Sequence, residues 1–125
     1  MIYGIGTDIV AVPRFERWLA TPAMLERFFN EAEQWTGKLD APAAREHYAA
    51  RFAAKEAFSK ALGTGFAGLV LKEVWVIKDS YGKPFFAFGP SVQRLLTDRV
   101  GARARVHLSL SHEKEYAVAY VVIEC

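Results

Sequence analysis

Two carboxylates stand where a carboxylate is out of place. Asp8 interrupts the β-branched run Met1-Ile2-Tyr3-Gly4-Ile5-Gly6-Thr7-Asp8-Ile9-Val10. Buried among Ile5, Ile9 and Val10 it would be costly unless a metal ion or an Arg satisfied it; the other choice is an Asp turned to solvent from an edge strand. Glu56 sits four residues before Lys60 in Arg51-Phe52-Ala53-Ala54-Lys55-Glu56-Ala57-Phe58-Ser59-Lys60-Ala61-Leu62. On its own that spacing is an ordinary helical surface pair worth a few tenths of a kcal/mol, with Arg51 and Lys55 stretched over aromatic neighbours. Near the end of the chain, His107, Ser109 and Ser111 alternate with Val106, Leu108 and Leu110 and lead into His112, a row of polar side chains on one strand face.

The chemistry open to this set is narrow. An Asp and a Glu are hard oxygen ligands, and with Arg, Lys and His around them they suit Mg²⁺ shared with a phosphate ligand. Zinc-type spacing is absent, because Cys125 has no Cys partner and the three His residues lie far apart. Gly63-Thr64-Gly65 lacks the Gly-Lys-Ser/Thr ending of a phosphate-binding loop. Gly4-Ile5-Gly6 lacks the third glycine of a dinucleotide fingerprint, and Pro13 follows where a long helix would have to start.

The elements that must position these residues are legible. Helix formers without Pro run from Ala43 to Leu62, and Gly63 is a natural left-handed stop. At about 100° per residue, Tyr48, Phe52, Phe58 and Leu62 share one arc with Arg51, Lys55 and Ser59. Ala49, Ala50, Ala53, Ala54, Ala57 and Ala61 line the other, so neither side reads as a solvated face. Glycines 4 and 6 mark a bulge or close backbone approach in a first strand over Met1–Val10. A short helix is expected from Pro13, carrying Phe15, Trp18 and Leu19 on one side and Arg14 and Arg17 on another. A second is expected over Ala23–Phe29 with Thr21 as its cap, adding Arg27; these arginines suit either a solvated face or an acidic partner.

Beyond the central helix, Leu69–Lys78 and Lys83–Phe88 read as a hairpin joined by Asp79-Ser80-Tyr81-Gly82. Val92–Val100 reads as an amphipathic helix, and Arg105–Ser111 and Tyr116–Ile123 as closing strands. At 125 residues, with 52% hydrophobic and 24% charged residues, the chain fits one compact domain over 1–125. A net charge of +2 does not argue for nucleic acid. A lone Cys, no apolar stretch approaching the ~18 residues of a membrane helix, and no basic leader point to a soluble cytoplasmic protein without membrane association.

Three stretches together resemble the holo-[acyl-carrier-protein] synthases, the short class of 4′-phosphopantetheinyl transferases. Gly4-Ile5-Gly6-Thr7-Asp8-Ile9 is similar to the family's opening motif, and Arg51 through Ala61 to its central Lys-Glu-Ala…Lys helix. Ser109-Leu110-Ser111-His112 through Tyr116-Ala117 resembles its closing segment, and Gly82-Lys83-Pro84 a hairpin that the family carries. The stretch from Ala20 to Pro42 matches least specifically.

The resemblance implies an α+β fold, a small antiparallel sheet packed around a long central helix, assembled as a homotrimer with each active site between two subunits. It implies transfer of the phosphopantetheine arm of coenzyme A to a serine of apo acyl carrier protein, releasing adenosine 3′,5′-bisphosphate, in fatty acid biosynthesis or another carrier-dependent pathway. Asp8 and Glu56 would bind Mg²⁺ with the coenzyme A diphosphate, with Lys60 beside it. Arg51 and His112 would face the 3′-phosphate, and Lys83, Pro84, His107 and Ser111 would complete the coenzyme A contacts. Arg14, Arg17 and Arg27 would meet the acidic helix of the carrier.

Attack by a serine hydroxyl on a diphosphate needs charge neutralisation, which a divalent ion and a Lys supply without covalent chemistry. Arg suits a terminal phosphate because its planar fork donates in pairs. The base that takes the serine proton is not identified by the sequence; Glu56, acting through a relaying water, is the candidate. The competing reading is a noncatalytic α+β module that binds a nucleotide or an acidic protein through Arg51, Lys55, His107 and His112. A purely structural oligomer subunit would explain neither acid.

Overall fold

The computed structural model describes all 125 residues. In chain order the elements are β1 (Ile2–Ala11), α1 (Glu16–Leu19), α2 (Pro22–Phe28), α3 (Pro42–Leu62), β2 (Val74–Lys78), β3 (Pro84–Phe88), α4 (Pro90–Arg99), β4 (Arg105–His112) and β5 (Tyr116–Glu124). Single 3₁₀ turns lie at Val12–Phe15, Glu31–Glu33 and Leu71–Glu73.

The organising helix is α3. Pro42 opens its first turn, where a missing N–H is harmless, and Gly63 closes it at φ +86°, a left-handed conformation that glycine adopts without steric cost. Both predicted arcs are covered: Tyr48, Phe52, Phe58 and Leu62 are buried on one, and the alanines on the other. Phe15, Trp18 and Phe66 pack their rings around Phe52, while Phe86 and Phe88 flank Phe58. Burying a side chain of that size contributes about 1.5–3 kcal/mol.

The antiparallel sheet β1-β5-β4 lies against the alanine arc, and β2-β3 forms a separate hairpin. Gly4, Gly6, Asp8 and Val10 turn toward α3, while Ile5, Thr7 and Ile9 face away. Opposite them, Ala117, Ala119, Val121 and Ile123 of β5 are buried. Glycine and alanine on the two surfaces let strand and helix approach more closely than larger side chains would allow. No helix is long and apolar enough to cross a membrane.

Several expected boundaries shift for identifiable reasons. The strand predicted from Leu69 begins only at Val74, because Leu71–Glu73 turns as 3₁₀ helix and presents the Leu71 and Val74 carbonyls to the Lys55 ammonium. The helix expected from Pro13 is a 3₁₀ turn followed by one α turn. Thr21 does not cap α2; its hydroxyl donates back to the Arg17 carbonyl at 3.2 Å. α4 starts at Pro90 rather than Val92, with Glu73 accepting from the backbone N–H and hydroxyl of Ser91 at its N-terminus.

Candidate active site

Asp8 and Glu56 meet where β1 crosses α3. Asp8 is 9% exposed, and one of its oxygens, Oδ1, lies 3.3 Å from the Lys60 ammonium, which also donates to the Thr7 carbonyl at 3.0 Å. The second oxygen, Oδ2, is buried without a hydrogen-bond partner. Beside it, the Glu56 carboxyl is pushed up to about 7, first by burial and then by hydrogen bonding and repulsion from Asp8; Lys60 and Arg14 pull the other way. The two acids resist joint ionisation: below about 7 the Glu56 proton bridges to Asp8, and once it is lost Oδ2 has no donor, so the ionised pair gains from a cation.

The donor set fits Mg²⁺. No group of three or more Asp, Glu, His or Cys side chains gathers anywhere in the chain, so the protein offers two hard oxygens and leaves the remaining positions to ligand and water.

A cleft of about 290 Å³ opens along the same helix, lined by Trp35, His47, Arg51, Lys78, Pro84 and His112 among others. Arg51 is half-buried there. Its Nη1 donates to the His47 carbonyl at 3.4 Å, and its Nε is buried with no partner. These two orphans, an acceptor on Asp8 and a donor on Arg51, are the only buried side-chain N or O atoms without a hydrogen bond. Groups of this kind are normally satisfied, so each marks a place for a ligand of opposite character. His112 also lines the cleft, with Nδ1 3.6 Å from Glu46. Burial, reinforced by Arg51, pushes His47 down to about 4, so at neutral pH it is uncharged and donates from Nε2 to the Glu33 carbonyl at 2.6 Å.

Other expected residues are placed differently. Lys83 stands between the cleft residues Gly82 and Pro84 and is held by its backbone N–H to Asp79. Ser111 is not on the cleft side of β4: Leu110 and His112 line the cleft, so strand alternation turns Ser111 to the outer face with Ser109 and His107. His107 does not line the cleft of its own chain and pairs with Glu124 at 2.5 Å. Arg14 lies over the rings of Phe15 and Phe52, and lines a groove with Arg17, Trp18, Thr21 and Met24. Arg27 sits over Phe28, outside that groove.

Lys55 is not available to any ligand. It is fully buried against Glu33, a residue that sequence reasoning passed over because Glu31-Ala32-Glu33 carries no apolar periodicity. Lys78, His47 and Trp35 were likewise missed as cleft residues. Lys78 ends a predicted strand beside a turn, and nothing in its spacing marks which way it faces.

Fold and site together define a small α+β protein equipped to hold an anionic phosphate ligand between an acidic pair and a cluster of cations. The model of the 4′-phosphopantetheinyl transferase superfamily matches residues 4–121. The holo-[acyl-carrier-protein] synthase of Treponema denticola is 49% identical over 126 residues, covering 99% of each chain. The solved structure of the holo-[acyl-carrier-protein] synthase of Neisseria meningitidis superposes with a TM-score of 0.85 at 37% identity over the whole of both chains. That of Bacillus anthracis, in complex with coenzyme A (3′,5′-ADP), gives 0.78 at 37% identity over 98% of this chain and 96% of the other. The chain belongs to the 4′-phosphopantetheinyl transferase superfamily.

Proposed function

We infer that this chain, acting as one domain over 1–125, transfers the 4′-phosphopantetheine group of coenzyme A to a serine of apo acyl carrier protein, the activity for which its relatives are named. The observation that carries the reading is the convergence of Asp8 and Glu56 beside Lys60, with Asp8 Oδ2 left unpaired.

In the transfer, the serine oxygen forms a bond to the phosphorus that bears the pantetheine arm. The bond from that phosphorus to the bridging oxygen breaks, and adenosine 3′,5′-bisphosphate departs. Asp8 and Glu56 would hold Mg²⁺, which supplies charge neutralisation to the diphosphate. Lys60, anchored to the Thr7 carbonyl and Asp8, stands ready to offset the charge that grows on the leaving phosphate. The unpaired Nε of Arg51 and the imidazole of His112 suit the nucleotide's 3′-phosphate, with Lys78 as a further cation. Glu56 is the candidate to receive the serine proton, through a relaying water while its carboxylate would serve as a ligand. Arg14, close enough to act on Glu56, lies where a carrier docked in the Arg14–Arg17 groove would bring its serine.

The chain assembles as a trimer through the outer face of the β1-β5-β4 sheet. Ile5, Ile9 and Tyr120 are each exposed by 60% or more on that face, in register with Val122, Val118 and Thr7. An apolar sheet surface of this kind calls for burial against another copy. Assembly there would carry His107 and Ser111 toward a neighbour's cleft, which fits an active site shared between subunits. The activity places the enzyme with coenzyme A and apo carrier proteins in the cytoplasm, in fatty acid synthesis or a related carrier-dependent pathway.

A noncatalytic module reading through Arg51, Lys55, His107 and His112 has lost support, since Lys55 is sealed inside the protein and His107 does not line the cleft that Arg51 and His112 share. The deciding experiment incubates the protein with coenzyme A, Mg²⁺ and an apo carrier, then weighs the carrier by mass spectrometry. A phosphopantetheine-sized gain that Asp8→Ala and Glu56→Ala abolish supports the reading; no gain across several carriers overturns it.

A further inference from the structure

Glu33 and Lys55 form an ion pair with no solvent-exposed side-chain surface, and neither touches the cleft or the acidic pair. All three Lys55 donors are used, and both Glu33 oxygens accept. The Lys55 ammonium donates to Glu33 Oε1, to the Leu71 carbonyl at 3.1 Å and to the Val74 carbonyl. Glu33 accepts in addition from the backbone N–H groups of Asn30 at 3.0 Å and Val76 at 3.2 Å. Stability alone is a poor reason for such a pair, because well-packed apolar residues of similar volume usually replace one without loss.

What a buried ion pair offers is direction, and here the partners lie on three stretches that each supply a wall of the cleft. Glu33 precedes Trp35 by two residues, and that segment is tied again to α3 by Tyr48, whose hydroxyl accepts from the Trp35 N–H at 2.8 Å. Lys55 follows Arg51 by one turn of the same helix. Val74 and Val76 lie on β2, which ends at Lys78. Apolar contacts would keep these stretches together without fixing their angles; the pair's five directional bonds fix both.

We propose that the Glu33–Lys55 pair is a positioning device that sets the Trp35 and Lys78 walls of the cleft against Arg51, and through them the affinity for the nucleotide end of coenzyme A. The proposal rests on the reading of this cleft as the nucleotide site. Such a device acts on binding, so its loss raises KM for coenzyme A and leaves the chemical step nearly intact.

The test compares the full-length wild type with Glu33→Gln/Lys55→Met, which removes both charges at similar volume, and with Glu33→Asp, which keeps the charges but slackens the pair. Circular dichroism first establishes that each variant is folded at the assay temperature. For the double variant, KM for coenzyme A and Kd for adenosine 3′,5′-bisphosphate both rise about tenfold, the scale of one charge-assisted hydrogen bond lost to the ligand, with kcat and the carrier's KM within about twofold. Glu33→Asp shows the same pattern at smaller size, and it decides the matter if the double variant does not fold. Folded variants with wild-type KM and Kd, or a fall in kcat alone, overturn the proposal. Arg51→Ala separates the two ideas. If it weakens bisphosphate binding while the Glu33 variants do not, the cleft reading stands and the positioning role fails; if Arg51→Ala binds like wild type, the cleft reading fails and the proposal with it.

Discussion

Gly6 lies so close to Ala57 that a Cβ built on the glycine would stand 2.0 Å from the Ala57 carbonyl oxygen. One turn along the helix, Gly4 has the same relation to Ala61, at 2.1 Å. Backbone rests on backbone at both points. This close approach brings Asp8, the next inward-facing residue of β1, within reach of Glu56 and Lys60.

Gly6→Ala therefore forces strand and helix apart at the site's own hinge of contact. Overpacking of this kind costs about 1–3 kcal/mol or somewhat more, because the obstructing atom is backbone and cannot swing aside. Urea denaturation should show that loss, and transferase activity in the fraction that stays folded should fall well below it as Asp8 is displaced. A folded Gly6→Ala protein with full activity would mean that the approach is not needed for the site.

Asp8→Asn and Glu56→Gln keep shape and remove charge. Each is expected to lower turnover by about 100-fold or more, the scale seen when one preorganised electrostatic contact is removed from a transfer site. Neither should cost more than about 1 kcal/mol of stability, because each removes repulsion within the acidic pair and Asp8→Asn gives up an ion pair only to the half-exposed Lys60. Steady-state assays with thermal melts check both halves of that expectation.

The proton on Glu56 sets a pH dependence with a definite sign. The folded state holds this proton up to about 7, whereas the ordinary carboxyl value is 4.5. The contribution of Glu56 to stability is therefore fully present below 4.5 and is lost as pH rises through about 7. Cation affinity runs the opposite way, since the ionised carboxylate is the ligand, and should climb between about pH 6 and 8. Mn²⁺ binding followed by electron paramagnetic resonance tests this: a rise in wild type and its absence in Glu56→Gln are expected, and a flat wild-type profile would count against it.

Two lysines five residues apart on one helix should behave as opposites. Lys55→Met strands Glu33 as a lone buried charge and should cost about 3–5 kcal/mol in urea denaturation. Lys60 is 55% exposed, so Lys60→Met should change stability by less than about 1 kcal/mol while sharply reducing turnover. Equal stability losses in the two variants would contradict the division between a sealed structural lysine and an exposed reactive one.

Much of this was legible in the sequence because it is written locally. The alanine arc, the Gly63 stop, the glycines before Asp8 and the alternation of β4 are all periodic or stereochemical signals, and each recurs in the structure. Asp8 announced itself by being polar in an apolar strand. What stayed hidden depends on partners distant along the chain. Glu33 is one acid in an acidic loop until Lys55 is seen reaching it, and the 3₁₀ turn at Leu71–Glu73 follows from the same ammonium. Lys78 has no periodic neighbour to reveal its side, whereas the polar row of His107 and Ser111 is plain in the alternation of β4, which does not say that this face turns from their own chain's cleft. Lys55 misled for a related reason: helical spacing places a residue on a face but does not say whether that face meets solvent.

The joint hold of Asp8 and Glu56 on one divalent cation against the diphosphate of coenzyme A is tested most directly by calorimetric titration of coenzyme A with and without Mg²⁺. Wild type should bind coenzyme A more tightly when Mg²⁺ is present, and Asp8→Asn and Glu56→Gln should each lose that increment while keeping the Mg²⁺-independent affinity supplied by the Arg51 cleft. Wild-type affinity that ignores Mg²⁺, or an increment that survives in both variants, would contradict it.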